Sequence, residues 1–221
     1  MRTGIETASF GNYGAWVASP DWAYDQLRRH MVCDPGECHE YSTGNTHLLS
    51  VILTRRSGKS LRRYMLDELF RPMGIGLGEW DRDPQGRYLG GNNMSLRPRD
   101  MLKFGQLFAD GGVWNGQRIV REQWVGASTL AHVELGWLEP EAWDWQVDGY
   151  GYQWLTGYFE FDGRRLASYA ARGYGQQVLM VIPELELVVA VNSHGYEETA
   201  EQANQVFALI ARFIIPAVPA G

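Results

Sequence analysis

Apolar residues recur at helical spacing after Thr43: Leu48, Leu49, Ile52 and Leu53 form a stripe that ends at Gly58. A stripe of this kind predicts an amphipathic helix. Ser60 then caps a second helix with Leu61, Tyr64, Met65 and Leu69 on one face, stopped by Pro72 and Gly74. Two turn signals follow, in DRDPQG and LGGNN. Pro98–Asp110 is a third helix, with Met101, Phe104, Leu107 and Phe108 inward and Gly111–Gly112 at its end. Val120–His132 reads as a fourth. The first forty residues are irregular, with one short helix over Trp22–Met31.

Past Gly136 the period changes. Gly136–Gly149 reads as an acidic, Trp-rich loop with Glu139, Glu141, Asp144 and Asp148. Strand-like runs follow at Tyr150–Leu155, Tyr158–Phe161, Arg165–Ala171, Gln177–Ile182 and Leu187–Asn192. Asp162–Gly163 is a hairpin signal and Pro183–Glu186 a short turn. Glu197–Ile214 closes the chain as an amphipathic helix, with Ala200, Ala203, Phe207, Ile210 and Ile214 on its inner side. Helices, then consecutive strands, then a last helix predict an α+β fold with an antiparallel sheet carrying that helix across one face.

Composition narrows the function classes. With 221 residues, 45% hydrophobic and 21% charged, the chain reads as one globular domain, or one and a small appendage. The net charge of −6 and the lack of any basic run longer than a pair argue against nucleic acid as a partner. No apolar run approaches the ~20 residues of a spanning helix, so no membrane partner is expected. The N-terminus, MRTGIETASF, shows no export signal. Five histidines without HExxH spacing, and no CxxC, leave no cofactor or metal to expect. The two cysteines, Cys33 and Cys38 in CDPGEC, flank a Pro–Gly turn. Two reduced thiols are the plainer reading. A bridge over so short a loop would contribute roughly 2 kcal/mol.

Common catalytic signatures fail. There is no GxSxG elbow and no Walker loop, and GIGLGE follows a helix, so it reads as a helix stop. What remains is HEYSTGNTHLLSVIL, where Tyr41 precedes a helix, and YAARGYGQQVLMVIP, where Gly173 and Gly175 interrupt a strand. Glycines in a strand mark a bulge or a ligand's close approach. On residues alone, a core tyrosine at a helix entry is the plainer reading of Tyr41, and a sheet kink that of the glycines.

Taken in order, YSTGNTHLLSVIL, LFRPMGI, WDRDPQG, GGNNMSLRPRDMLKFGQL, YGYQW and GYGQQVLMVIPELELVVAV resemble the serine β-lactamase/penicillin-binding-protein superfamily, in its class C-like esterase and 6-aminohexanoate-dimer (nylon-oligomer) hydrolase branch. The similarity runs from MRTGI to the final helix. It implies one β-lactamase/transpeptidase-like domain, incomplete, with 1–135 mainly helical and 136–221 holding the antiparallel sheet and C-terminal helix. It also implies a small-molecule ester or amide substrate. Tyr41 matches the tyrosine that relays the nucleophile's proton, and Thr43 stands where Asn is common. Ala171–Arg172–Gly173 takes the place of K-T-G, which would make the Tyr174 N–H the oxyanion donor. Arg172, Gly173, Gly175 and Gln176 then line the substrate side, with Gln176 replacing a second glycine of this branch.

The nucleophile motif S-x-x-K is absent. The two lysines, Lys59 and Lys103, follow Arg56 and Asp100 by three positions. The resemblance places that motif upstream of Met1, with the first helix and two sheet strands, so the chain reads as the family's C-terminal part. Ser42 and Ser95 are weak substitutes, since no base is suggested beside either. Two functions follow: a serine esterase or amidase seen without its nucleophile, inactive alone, or a non-catalytic ligand-binding or remnant domain. The missing strands would also leave a sheet edge open to self-association.

Overall fold

The structure, a computed structural model, describes residues 1–135, 143–193 and 200–219. Glu139 and Glu141 of the acidic loop, and positions 197–199 of the last helix, lie outside the described residues. The chain divides into two compact units, Met1–Arg97 and Pro98–Gly221.

The first unit is helical. α1 (Tyr13–Val17) and α2 (Trp22–Leu27) precede α3 (Thr43–Ser57) and α4 (Leu61–Met65), which continues as a π turn over Leu66–Phe70. Asp21 caps α2 by accepting the Ala23 and Tyr24 N–H groups. The helix begun at Trp22 stops at Leu27, four residues short of the predicted Met31. Ser60 caps α4 by accepting the Arg63 N–H, and Gly58 ends α3 in the left-handed region at φ 66°. Trp16, Trp22, Leu89 and Ala8 form a small core.

In α3 the expected sidedness is reversed. The stripe faces solvent, with Leu49 and Ile52 each 54% exposed, while Thr43, Thr46, His47 and Ser50 are buried. The reason lies in what the helix packs on. Its inner face meets the 81–90 loop, whose backbone needs hydrogen-bonding partners rather than methyl groups. Ser50 donates to the Tyr88 carbonyl at 2.6 Å, and His47 Nε2 meets Asp83 Oδ2 at 3.0 Å. Gly90 lets the loop lie against the helix backbone: a Cβ there would be 3.0 Å from His47 Cα and inside the Thr46 carbonyl.

In the second unit, α5 (Pro98–Ala109) ends at Gly111 and Gly112, both at positive φ. A small ribbon of β1 (Val113–Trp114) and β2 (Gln117–Arg118) leads to α6 (Glu122–Ser128). Six strands follow in spatial order: β3 (Val133–Glu134), β4 (Trp145–Tyr150), β5 (Leu155–Phe161), β6 (Arg164–Gly173), β7 (Gln177–Ile182) and β8 (Leu187–Val191). Every pairing among them is antiparallel, as the sequence predicts. α7 (Ala200–Leu209) continues as a π turn over Ile210–Ile214.

Alternation along the strands gives the sheet two buried faces. Leu179, Val181 and Tyr169 pack with Phe108 of α5, and α5 comes close through Gly105, whose Cβ would stand 2.6 Å from Val188. Trp145, on the opposite face, packs 5.0 Å from Phe207 of α7. Two segments differ from the prediction. Residues 145–150 are strand, not loop, because Trp145 and Val147 alternate inward. Residues 151–154, expected as strand, are the β4–β5 connection, bent by Gln153 at φ 69° and by Gly151, which lies against the Ser128 carbonyl.

Cys33 and Cys38 are joined in a disulfide, against the expectation of reduced thiols. The turn between them closes the loop: Gly36 sits at φ 93° and donates its N–H to the Arg2 carbonyl, bringing the Cα atoms within 6.3 Å.

Candidate functional site

Tyr41 stands at the entrance of α3, on a segment fixed by a second strip of chain 34 residues earlier. Thr7 Oγ1 donates to the Tyr41 carbonyl at 2.5 Å, and the Ala8 N–H donates to Ser42 Oγ at 3.0 Å. The Thr43 N–H donates to Ser9 Oγ, and the Ser9 and Thr43 hydroxyls meet at 2.8 Å. Ser42 occupies the N-cap position, yet its side chain does not cap α3; Ser9 Oγ accepts the N–H of Thr43, the first helical residue. The Ala8–Ser42 and Ser9–Thr43 bonds are buried and the Thr7 bond to Tyr41 is exposed; Tyr41 itself is 38% exposed, with its ring 5.8 Å from that of Phe10 between centroids.

The surroundings push the Tyr41 phenol above its usual value by desolvation. At neutral pH the group is therefore a proton donor, and it becomes an acceptor only beside a cation. Both lysines of this chain are committed elsewhere. Lys59 pairs with Asp67 at 3.1 Å, and Lys103 with Asp100 at 3.2 Å. Asp67, mainly through its hydrogen bond, holds the Lys59 ammonium above its ordinary value.

Thr43, expected to face substrate, is buried with its hydroxyl joined to Ser9. Ser42 is fully buried. Ser95 is exposed, and its backbone is paired to Gly78 and Glu79.

In the second unit, Arg172, Gly173, Tyr174, Gly175 and Gln176 come together at one hairpin tip. Gly173 is the last residue of β6 and pairs with Gln177, so Tyr174–Gly175–Gln176 is a three-residue turn, not an interrupted strand. Gly175 has φ 80°, a conformation that suits glycine, and Gln176 has φ 62°, a left-handed conformation that residues with a side chain rarely adopt. Gln176 is buried, while the Tyr174 side chain is 70% exposed. The Arg172 guanidinium lies over the Trp143 ring at 5.1 Å.

Some of this was invisible in the sequence. Thr7 and Ser9 carry no motif, and only their distant partners reveal them. The same holds for a buried network in which Asp83 joins His47 to Arg87, with Arg87 Nε 2.6 Å from Asp83 Oδ2 and its second nitrogen reaching Asp21. His47 is wedged edge-on against Trp16 and Trp22. Burial holds its imidazole below the usual value, with the Asp83 hydrogen bond opposing. Among the described residues no three His, Cys, Asp or Glu side chains cluster to hold a metal ion, and no helix is long and apolar enough to cross a membrane.

Comparison with known proteins adds the wider context. A family description for beta-lactamase matches residues 8–212. A Bacillus anthracis protein assigned as a 6-aminohexanoate-dimer hydrolase superposes with a TM-score of 0.73 at 20% identity, over 100% of this chain and 59% of its own. The octameric penicillin-binding protein homologue of Pyrococcus abyssi gives 0.66 at 18%, over 95% of this chain and 53% of its own. The D-amino acid amidase of Ochrobactrum anthropi gives 0.66 at 16%, over 97% and 70%. The chain thus spans little more than half the length of the first two. No curated protein sequence matches it.

Proposed function

Because the chain belongs to the beta-lactamase family, we propose that it carries the proton-handling and oxyanion-binding parts of a serine acyl hydrolase, an esterase or amidase completed by a serine–lysine pair from outside these residues. The fold itself supports serine-hydrolase-like function. The observation that carries the finer reading is Tyr41, partly exposed at a helix entrance whose next two residues are pinned by buried bonds to Ala8 and Ser9.

The chemistry runs in two steps. A serine hydroxyl attacks the substrate carbonyl only as its proton leaves, so a base must stand beside it. Tyr41 is that relay: a lysine ammonium near its phenol would offset the desolvation that now holds the proton on. The tetrahedral oxygen then needs fixed donors, each worth about 3–4 kcal/mol, and the Tyr174 N–H supplies one. In this reading Gly173 and Tyr174 serve the oxyanion while Tyr41 handles the proton, and Arg172, Gly175 and Gln176 flank the oxyanion turn.

Small-molecule esters or amides fit best. Thr43 offers no side-chain amide, its hydroxyl already bonds Ser9, and Arg172 is engaged with Trp143, so β-lactam hydrolysis is expected to be weak or absent. The names of two structural neighbours, a 6-aminohexanoate-dimer hydrolase and a D-amino acid amidase, agree with that class.

The 221-residue chain alone is expected neither to turn over a nitrophenyl ester nor to take up a fluorophosphonate. An oxyanion hole without its nucleophile leaves only ~10³–10⁴-fold over water, below routine assays. Supplying an S-x-x-K segment should bring esterase activity, and Tyr41→Phe should then lower the rate about 10²–10⁴-fold. Robust labelling of the present chain would redirect attention to Ser42 or Ser95. The second reading, a non-catalytic ligand-binding domain, is favoured by Arg56 and Asp100 standing where a serine would precede each lysine. A completed, folded protein with its S-x-x-K that does nothing would establish it.

A further inference from the structure

Strip 7–9 meets residues 41–43 one for one: Thr7 bonds Tyr41, Ala8 bonds Ser42 and Ser9 bonds Thr43. What places the strip itself is α2 and the turn just past it. Gln26, fully buried, donates its amide to the Glu6 carbonyl at 3.3 Å and to Asn45 Oδ1 at 3.1 Å. Three residues on, Arg29 Nη1 donates to the Thr7 carbonyl at 3.0 Å. The other edge of that guanidinium, Nε and Nη2, lies on Asp25 Oδ1 at 3.2 and 3.0 Å. The Arg29 and Asp25 side chains are largely buried, at 13% and 14% exposed. Arg28 differs: it is 65% exposed, and among the described residues its guanidinium bonds Asp25 alone.

The Thr7 carbonyl and the Ala8 N–H belong to one planar peptide unit. Arg29 grips the oxygen of that unit while its N–H donates to Ser42 Oγ in a buried bond of 3.0 Å, so turning the plane to free one bond strains the other. Asn12 shares the carbonyl at 3.1 Å, but it is a neutral amide five residues away and ties the strip only to its own next turn. The charge-assisted bond from Arg29 is the stronger of the two and fastens the strip to α2. We propose that Arg29, oriented by Asp25, is a positioning residue for Tyr41: it sets the strip that sets the phenol. The inference rests on Tyr41 being the proton relay, a role in which a misplacement of about 1 Å costs about 10²-fold in rate. Lysine does not replace it, because a point charge cannot hold a carboxylate along one edge and a carbonyl at another.

Fluorine NMR of the 221-residue chain labelled with 3-fluorotyrosine tests this without any need for turnover. The Tyr41 resonance is the one lost in Tyr41→Phe. Arg29→Ala and Arg29→Lys should both displace it and enlarge its H₂O/D₂O shift, which grows with exposure of the ring. Tyr88, buried in the same unit, should keep its resonance. Arg28→Ala strips an arginine from the same carboxylate without touching Thr7, and it should leave Tyr41 as in the wild type. A Tyr41 resonance unmoved in either Arg29 variant overturns the proposal. So does an equal displacement in Arg28→Ala, or a displacement of Tyr88 alongside Tyr41, which would mean that the whole unit has loosened. Should Arg29→Ala fail to fold by circular dichroism, Arg29→Lys decides by the same criteria. Failure here is distinct from failure of the acyl-hydrolase reading, which shows only as a completed, folded protein that does nothing.

Discussion

Gly90→Ala should unsettle the first unit although it adds one methyl group at an exposed loop position. The new Cβ would fall inside the Thr46 carbonyl and 3.0 Å from His47 Cα, so it meets helix backbone with no rotamer to swing aside. The loop must back away, and with it goes the buried bond from Ser50 Oγ to the Tyr88 carbonyl at 2.6 Å. Overpacking of this kind costs about 1–3 kcal/mol. Losing a buried hydrogen bond costs about 1–3 kcal/mol more where an acceptor is stranded. Stiffening the unfolded chain offsets about 0.4–1 kcal/mol. The net loss should be about 1–5 kcal/mol, a fall of about 0.5–2.5 M in urea midpoint at a slope near 2 kcal/mol/M. Gly76→Ala is the internal control, since nothing stands within 4 Å of its Cβ, and it should stay within about 0.5 kcal/mol of wild type. Equal midpoints for the two variants would refute the claim that the 81–90 loop is docked backbone-to-backbone on α3.

Two further expectations concern pH and the hairpin turn. Because burial holds His47 below its ordinary value of 6.5, the unfolded chain takes up a proton that the folded chain refuses. Stability should therefore be flat above that value and fall as pH drops below it, with Asp83, Arg87 and Asp21 as the charges around the ring. His39, also lowered by burial, adds to the same slope, so His47→Gln should flatten a urea-midpoint profile in part. A profile unchanged in the variant would exclude His47. At Gln176, φ 62° tolerates Gly but not a β-branched residue, so Gln176→Val should cost about 1–3 kcal/mol by thermal unfolding while Gln176→Gly is accepted. Equal effects would mean that the turn is not held in that conformation.

The sheet was legible because its signals are local. The period-2 runs, Asp162–Gly163 at the hairpin and the apolar face of Pro98–Ala109 each specify an element without distant partners. The sequence of β4 reads as loop because Asp144, Asp148 and Gly149 mask the inward alternation of Trp145 and Val147. The α3 pattern reads with its faces exchanged, since hydropathy reports what a helix buries against apolar neighbours, and here the neighbour is loop backbone. The site shows the same division. Tyr41 and the 172–176 turn were found through motif resemblance, whereas Thr7 and Ser9, which hold Tyr41 in place, leave no trace because their partners stand 34 residues away.

We propose that Tyr41 and the Tyr174 backbone act in one reaction. Cys33 and Cys38 are bridged and no free cysteine remains, so thiol labels report only introduced positions. Nitroxides on a Y41C/Y174C variant should show strong dipolar broadening relative to the two single variants, as side chains within about 12 Å require. A double-labelled spectrum equal to the sum of the singles would place the two groups apart and contradict the account.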